Sequence, residues 1–254
     1  MSTAEFEGMS VIVTGGASGI GAATVQWFAA RGARVASLDL QPQPEAAQVR
    51  GFACDVRDDA SVQGAVSAAA DWLGGIDVLV NNAGIASLGK LESQDDQEWQ
   101  RVFDVNLFGL VRTTRAALPW LRRSERAAIV NNCSAVACMG LSQRTLYSAS
   151  KGAILAFTRA LAADCLQDSI RVNCVTPGVV DTPWQARAVA SAPDPAARRA
   201  QLERLQPSGK LVKPEHVAAA IAYLASPASG STTGVDLPVD GGMQSIHLSA
   251  LPAS

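Results

Sequence analysis

Residues 9–21 read MSVIVTGGASGIG. A run of apolar and β-branched side chains passes directly into a glycine-rich turn, and the turn into a stretch of helical composition over residues 20–31. That order, strand then glycines then helix, is the context a glycine pattern needs before it signals phosphate binding. Gly15, Gly19 and Gly21 remove side chains where the backbone must turn sharply and approach a pyrophosphate. The helix opening at Ile20 aims its free N–H groups at negative charge, and Ser18 lies within the same loop. A tight turn packed by small residues is the competing reading, so the rest of the chain decides.

Six further runs resemble the first: 33–39 (ARVASLD), 51–54 (GFAC), 76–82 (IDVLVNN), 127–133 (AAIVNNC), 170–175 (IRVNCV) and 235–240 (VDLPVD). They are near-continuously apolar rather than alternating, as expected of parallel strands buried on both faces. Between them, residues 20–31, 58–73, 96–121, 145–166 and 215–225 have helical length and composition. Strand and helix in alternation predict an α/β sheet with right-handed crossovers. No internal repeat, charge block or interdomain linker interrupts residues 1–254, which predicts a single domain. Residues 176–213 read as irregular, punctuated by five prolines with Pro214 just beyond, and with one helix near 196–206; residues 183–213 are the candidate lid over a substrate.

The second run ends at Asp39, about twenty residues past the glycines, followed by Leu40. A carboxylate there accepts hydrogen bonds from both ribose hydroxyls of NAD and repels the extra phosphate of NADP. Gly16, Ala17 and Ser18 supply no cation to welcome that phosphate, so the sequence favours NAD. Asp55, followed by Val56, is a candidate contact to the adenine, or a solvated turn residue or helix cap.

Bulk properties narrow the partners. Of 254 residues 48% are hydrophobic and 17% charged, the balance of a chain that folds. A formal charge of -2 gives no electrostatic case for nucleic acid or an anionic membrane. No run is long and apolar enough to span a bilayer, and MSTAEFEG lacks the features of a signal peptide, so a cytoplasmic location is expected. Five cysteines without a C-x-x-C spacing read as buried free thiols, and two distant histidines, His216 and His247, give no metal site.

Residues 147–151 read YSASK. On a helix, Tyr147 and Lys151 share one face, either as an ordinary surface pair or as a phenol beside an activating cation. The ordered set TGGASGIG, DV at 55–56, NNAG at 81–84, DVNLFG at 104–109, NCSA at 132–135, YSASK, PG at 177–178 and VDGG at 239–242 resembles the short-chain dehydrogenase/reductase family over essentially the whole chain. The resemblance implies a Rossmann-type, doubly wound sheet of seven parallel strands and a catalytic group of Asn106, Ser134, Tyr147 and Lys151. Ser134 stands at the family's usual distance before Tyr147.

Free tyrosine ionises near pH 10, so a tyrosine base working near neutrality needs cations beside it. The resemblance makes Tyr147 the acid/base and Lys151 its activating cation and a contact to the nicotinamide ribose. Ser134 becomes the donor to the developing alkoxide, and Asn106 the holder of a water that relays protons from Lys151. It also implies cofactor contacts from Asn82, Ala83 and Gly84, from Pro177, Gly178 and Val180, and from Thr182, which doubles as a helix cap before Pro183; Asn81 reads as structural.

The substrate wall is expected from Ser134, Ala135, Val136, Cys138, Leu141, Ser142, Gln143 and Tyr147, with Trp184 and Arg187 from the lid. Arg187 reads equally as a solvated helix residue. Such a wall suits a secondary alcohol such as a small polyol, sugar or sugar acid, and the stretch GVVDTPWQAR at 178–187 resembles that of family members acting on L-fucose-type sugars or their 2-keto-3-deoxy acids. The alternatives are a 3-oxoacyl thioester reductase, which Asp39 disfavours, and a noncatalytic cofactor sensor, which has no use for an activated phenol. Family resemblance further implies a homotetramer that pairs the long helices beginning near 96 and 145. The small residues Ala149, Ala153, Ala156 and Ala160 suit that contact or packing on the protein's own sheet. The tail from residue 243 onward is expected to reach a neighbouring subunit or to fray.

Overall fold

The computed structural model describes residues 5–248; residues 1–4 and 249–254, with the ends of both terminal segments considered above, lie outside the described residues. Seven described strands, β1 (Ser10–Thr14), β2 (Arg34–Asp39), β3 (Val49–Ala53), β4 (Val78–Asn81), β5 (Ala128–Asn132), β6 (Arg171–Pro177) and β7 (Asp236–Val239), pair in parallel in the order β3-β2-β1-β4-β5-β6-β7. The helices are α1 (Gly19–Ala29), α2 (Asp59–Leu73), α3 (Asp96–Phe103), α4 (Gly109–Leu121), α5 (Thr145–Asp164), α6 (Pro183–Ala190), α7 (Pro195–Arg204) and α8 (Pro214–Ala225). This is the doubly wound α/β architecture that the alternating runs predict.

Successive residues of a strand point to opposite faces, and here helices cover both. Ile12, Leu79 and Ile129 pack with Val62 and Val66 of α2 and Leu121 of α4. Val11, Val13, Val80 and Val130 pack on the other side with Phe28 of α1 and Ile221 of α8. A strand clad on both sides has no polar positions to show, which is why the runs read as continuously apolar. Truncating one such side chain to Ala costs roughly 2–5 kcal/mol. The edge strands depart from the expectation of double burial: β3 and β7 are half-exposed, because each lacks a neighbour on one side. Pro238 is tolerated within β7 for the same reason.

Two helical segments also differ from the sequence reading. The stretch 96–121 is broken by a wide π turn at Asp104–Phe108, where the Gly109 N–H reaches back to the Asp104 carbonyl. The stretch 176–213 holds two helices rather than one, because Thr182 caps α6 through the Gln185 N–H at 3.2 Å and Pro183 fits its first turn.

A buried amide ladder ties the site-bearing helices to the sheet. Asn81 Nδ2 donates to Asn131 Oδ1 (2.9 Å) and to Thr114 Oγ1 (3.0 Å), Thr113 Oγ1 donates to Asn81 Oδ1 (2.8 Å), and Asn131 Nδ2 donates to Thr158 Oγ1 (2.9 Å). Side chains of β4 and β5 are thereby joined to α4 and α5, with Asn81 in the structural role expected of it. No described helix is long and apolar enough to cross a membrane.

Candidate active site

The strand order reverses its direction of growth between β1 and β4, and a crevice opens beyond the carboxyl ends of the strands at such a point. A cleft of about 750 Å³ lies there. Its floor at one end is the glycine loop. Gly15 has φ +63, and a Cβ at this position would stand 2.9 Å from the Ala83 Cα, so the loop can turn and lie against β4 with glycine alone. A Cβ on Gly21 would run into the Gly15 carbonyl. No side chain caps the first turn of α1 and no acid occupies it, which leaves its N–H groups open to an anion. A cofactor pyrophosphate fits this cradle.

Gly15, Ser18, Gly19, Ile20, Asp39, Leu40, Asp55, Val56, Asn82, Ala83, Gly84, Pro177, Gly178, Val180 and Thr182 all line the cleft, and Gly21 lies just behind them in α1. Asp39 ends β2, where its Oδ2 accepts the Ala17 N–H (3.1 Å) and its Oδ1 the Gln41 N–H (3.2 Å). No basic residue follows before Arg50. The one nearby cation on the wall, Arg57, is neutralised by Asp55 at 2.6 Å. That pairing, led by the Arg57 hydrogen bond, holds the Asp55 carboxyl below the usual range. Burial together with Asp55, Asp39 and Asp58 pushes the neighbouring Cys54 thiol up to about 11.

The Asn82 side chain is fully engaged in building this floor. Its Nδ2 donates to the Thr14 and Gly15 carbonyls (3.0 and 3.1 Å) and its Oδ1 accepts from Asn132 (2.9 Å). Backbone of Ala83 and Gly84 is what remains to face a ligand.

At the other end of the cleft stand Ser134, Tyr147 and Lys151. Ser134 follows β5 and begins the short turn 135–137; its Oγ accepts from the Val136 N–H at 3.4 Å, and its own proton is free to point into the cleft. Tyr147 and Lys151 share a face of α5 as their spacing predicts. Lys151 is 4% exposed, lies 5.7 Å from the centre of the Tyr147 ring, and donates one hydrogen bond to the Asn132 carbonyl at 2.9 Å. Two of its three protons are left for a ligand. Cys133, on the wall beside them, is held below the usual thiol range by a hydrogen bond with Cys174, which is itself pushed up.

Asn106 is 1% exposed and sits in the π turn. Its Oδ1 accepts the Ile85 N–H (2.8 Å) and its Nδ2 donates to the Ile85 carbonyl (3.0 Å) and to Ser150 Oγ (3.1 Å). Both amide protons are used, so the side chain clamps the loop after β4 to α5 and has no donor left for a water beside Lys151.

The expected substrate wall is only partly assembled. Ala135, Val136, Leu141 and Trp184 face the cleft; Cys138, Ser142, Gln143 and Arg187 do not line it. Gln143 is turned by a left-handed backbone, φ 61, that presents its carbonyl to the Gly89 N–H. Arg187 is exposed on α6. Cys138 is also exposed, correcting the expectation of a buried thiol, and lies 3.9 Å from Asp236. Sequence reasoning missed Arg144, Gln185, Leu202, Leu205 and Met243, which do line the cleft; proximity of Arg144 to Tyr147 in sequence was the available signal for the first. No group of metal-ligating side chains exists among the described residues.

Comparison with known proteins agrees with this geometry. The model of a family described as enoyl-(acyl carrier protein) reductase matches residues 15–244. The D-threitol dehydrogenase of Mycolicibacterium smegmatis is 39% identical over 246 residues, covering 93% of each chain. The L-fucose dehydrogenase of Bos taurus is 39% identical over 246 residues, covering 94% of this chain and 90% of its own. The ligand-free structure of an aldohexose dehydrogenase from Thermoplasma acidophilum superposes with a TM-score of 0.92 at 34% identity, covering 99% of this chain and 100% of that one.

Proposed function

We propose, from the premise that this chain belongs to the short-chain dehydrogenase/reductase family and is a nicotinamide-dependent oxidoreductase of CH–OH groups, that it oxidises a sugar or sugar acid with NAD. The observation that carries the reading is the convergence of Ser134, Tyr147 and Lys151 at the end of the cleft opposite Asp39. Bound nicotinamide supplies the acceptor for the hydride.

The chain's own residues manage the proton and the charge. Ser134 donates to the substrate oxygen and holds it in place as negative charge develops there. Tyr147 takes the carbinol proton during oxidation and returns it during reduction. Lys151 favours the phenolate by its charge and turns its free protons to ribose hydroxyls. Asn106 is a positioning residue that keeps the Ile85 loop and α5 in register. Asp39 accepts from the adenosine ribose and selects NAD over NADP.

The substrate class draws on the names of the relatives and on a wall that mixes Leu141, Leu202, Leu205 and Trp184 with Ser134 and Gln185. Residues 1–254 act as one domain in which α6 and α7 form the lid of the segment 183–213. Trp184, 51% exposed, stands on it over the cleft, and α6 buries none of its residues; so little burial is what a moving element needs. A homotetramer through α4 and α5 is supported by Ala149, Ala156 and Ala160, which face outward rather than onto the sheet. Four buried free thiols suit the reducing cytoplasm.

Tyr147→Phe tests the reading. NADH formation on a panel of sugars, polyols and sugar acids should fall by about 10²–10⁴-fold while NAD binding is retained. A variant as active as the parent, or a parent that oxidises none of the panel, rules the reading out.

A further inference from the structure

One cation at the reaction end has no task in the chemistry above. Arg144 lines the cleft, half-buried, with its guanidinium carbon 5.9 Å from the centre of the Tyr147 ring. Of its five N–H donors, the structure commits one site, Nη1, to the Ser87 carbonyl at 2.9 Å. No carboxylate pairs with it among the described residues. The two other arginines on the cleft wall are matched, Arg57 to Asp55 at 2.6 Å and Arg101 to Glu98 at 2.7 Å.

Beyond the neighbouring Tyr147 phenol, 5.9 Å away, nothing local favours a cation in this place. Arg144 immediately precedes the first turn of α5, where the helix carries its positive end and where an acceptor side chain is the usual cap. No side chain caps this end, and no acid stands in the first turn. Burial pulls the Arg144 pKa down; the Tyr147 phenolate works in the other direction, and Arg198 of α7 adds a smaller opposing charge. A cation without a carboxylate partner and an uncapped helix end therefore meet on the cleft wall beside Tyr147. The acids on the wall, Asp39 and Asp55, belong to the β2 and β3 end. A residue that breaks the local rules without compensation inside the chain points to a compensating group from outside it.

We propose that Arg144 binds a carboxylate of the substrate, so that the substrate is an anionic hydroxy acid rather than a neutral sugar or polyol. The inference rests on the dehydrogenase reading only for what happens at the carbinol; the anion site itself stands on Arg144. A planar guanidinium matches a carboxylate with two parallel hydrogen bonds. Held there, the carboxylate fixes the distance and direction from which the hydroxyl reaches Tyr147, and it supplies the counter-charge that the cleft lacks.

Matched pairs test this: threonate, gluconate, 3-hydroxybutyrate and 4-hydroxycyclohexanecarboxylate, each against its primary amide, with the parent protein, Arg144→Gln and Arg144→Lys. Gln retains an N–H for the Ser87 carbonyl and removes the charge; Lys retains the charge and loses the fork. The parent should prefer at least one acid to its amide. Arg144→Gln should lower kcat/KM for that acid by about 10²-fold more than for its amide, and Arg144→Lys by a smaller differential.

Equal losses on acid and amide would assign Arg144 to holding the Ser87 loop and overturn the proposal, as would a parent indifferent to the charge. Calorimetric binding of the same acids to the NADH-saturated protein separates the two readings. Selective acid binding that Arg144→Gln abolishes, without turnover, keeps the anion site and rejects the dehydrogenase reading. Turnover of neutral sugars with no acid bound does the reverse.

Discussion

Cofactor choice hangs on one carboxylate, and Asp39→Asn isolates it. Asparagine preserves the shape and an oxygen acceptor for the Ala17 N–H, now 3.1 Å from Asp39 Oδ2, and removes the charge. Two unit charges about 4 Å apart interact by about 1 kcal/mol in bulk water and about 4 kcal/mol near a protein surface. Asp39 is part-exposed, and the extra phosphate of NADP carries about 1.5–2 charges, so the repulsion lies between about 1.5 and about 8 kcal/mol. NAD in turn loses charge-assisted hydrogen bonds worth about 1.5–3 kcal/mol each. Even the smallest of these terms sum to about 3 kcal/mol, so the ratio of kcat/KM for NADP over NAD should rise by at least about 10²-fold at 1.4 kcal/mol per tenfold. Initial rates with both cofactors and one alcohol measure it. Discrimination by the parent should also weaken as salt rises from about 0.01 M to about 1 M, since the screening length shortens from about 30 to about 3 Å. A ratio within threefold of the parent's, or a parent that prefers NADP, would refute the electrostatic account.

Two further outcomes follow from the packing and the thiols. Asn131→Leu should lower unfolding stability by roughly 2–4 kcal/mol, because it deletes two buried hydrogen bonds and strands one Asn81 donor; urea denaturation should show a lower midpoint at an unchanged slope. Native protein treated with a thiol reagent should show one fast thiol, lost in Cys138→Ser, because the other four cysteines are buried. Burial and Asp236 push the Cys138 thiol up from its ordinary 9.0, so the rate should keep climbing above that pH as the reactive thiolate forms.

The strands were legible because cladding on both faces leaves an unmistakable apolar run, and the glycine loop because its backbone geometry excludes other residues. Ser134, Tyr147 and Lys151 were legible as a set because one strand end and one helix face suffice to bring them together. Helix α6 was legible only at its start, where Thr182 reads as a cap before Pro183; it buries no residue, so no periodic stripe shows how far it runs. The π turn carries no compositional mark, since one extra residue in a turn changes geometry and not chemistry. Gln143 was expected on the cleft from its place between Ser134 and Tyr147, and a left-handed backbone turns it elsewhere; Arg187, open to either reading on the lid, is exposed on α6 and does not line the cleft. Arg144 escaped notice for the converse reason, since charge at a helix start looks like a solvated surface residue until the cleft is seen around it.

The π turn at Asp104–Phe108 divides what would otherwise be one rigid rod. Downstream, α4 is fastened to β4 through Thr113 and Thr114 and cannot rotate without severing those bonds. Upstream, α3 starts at its Asp95 cap, bonded to the Glu98 N–H at 2.9 Å, buries Val102, and brings Arg101 to the rim of the cleft. The joint sets the two halves at different phases, so that one presents Arg101 to the rim while the other presents Thr113 and Thr114 to the sheet beneath the proton-transfer residues.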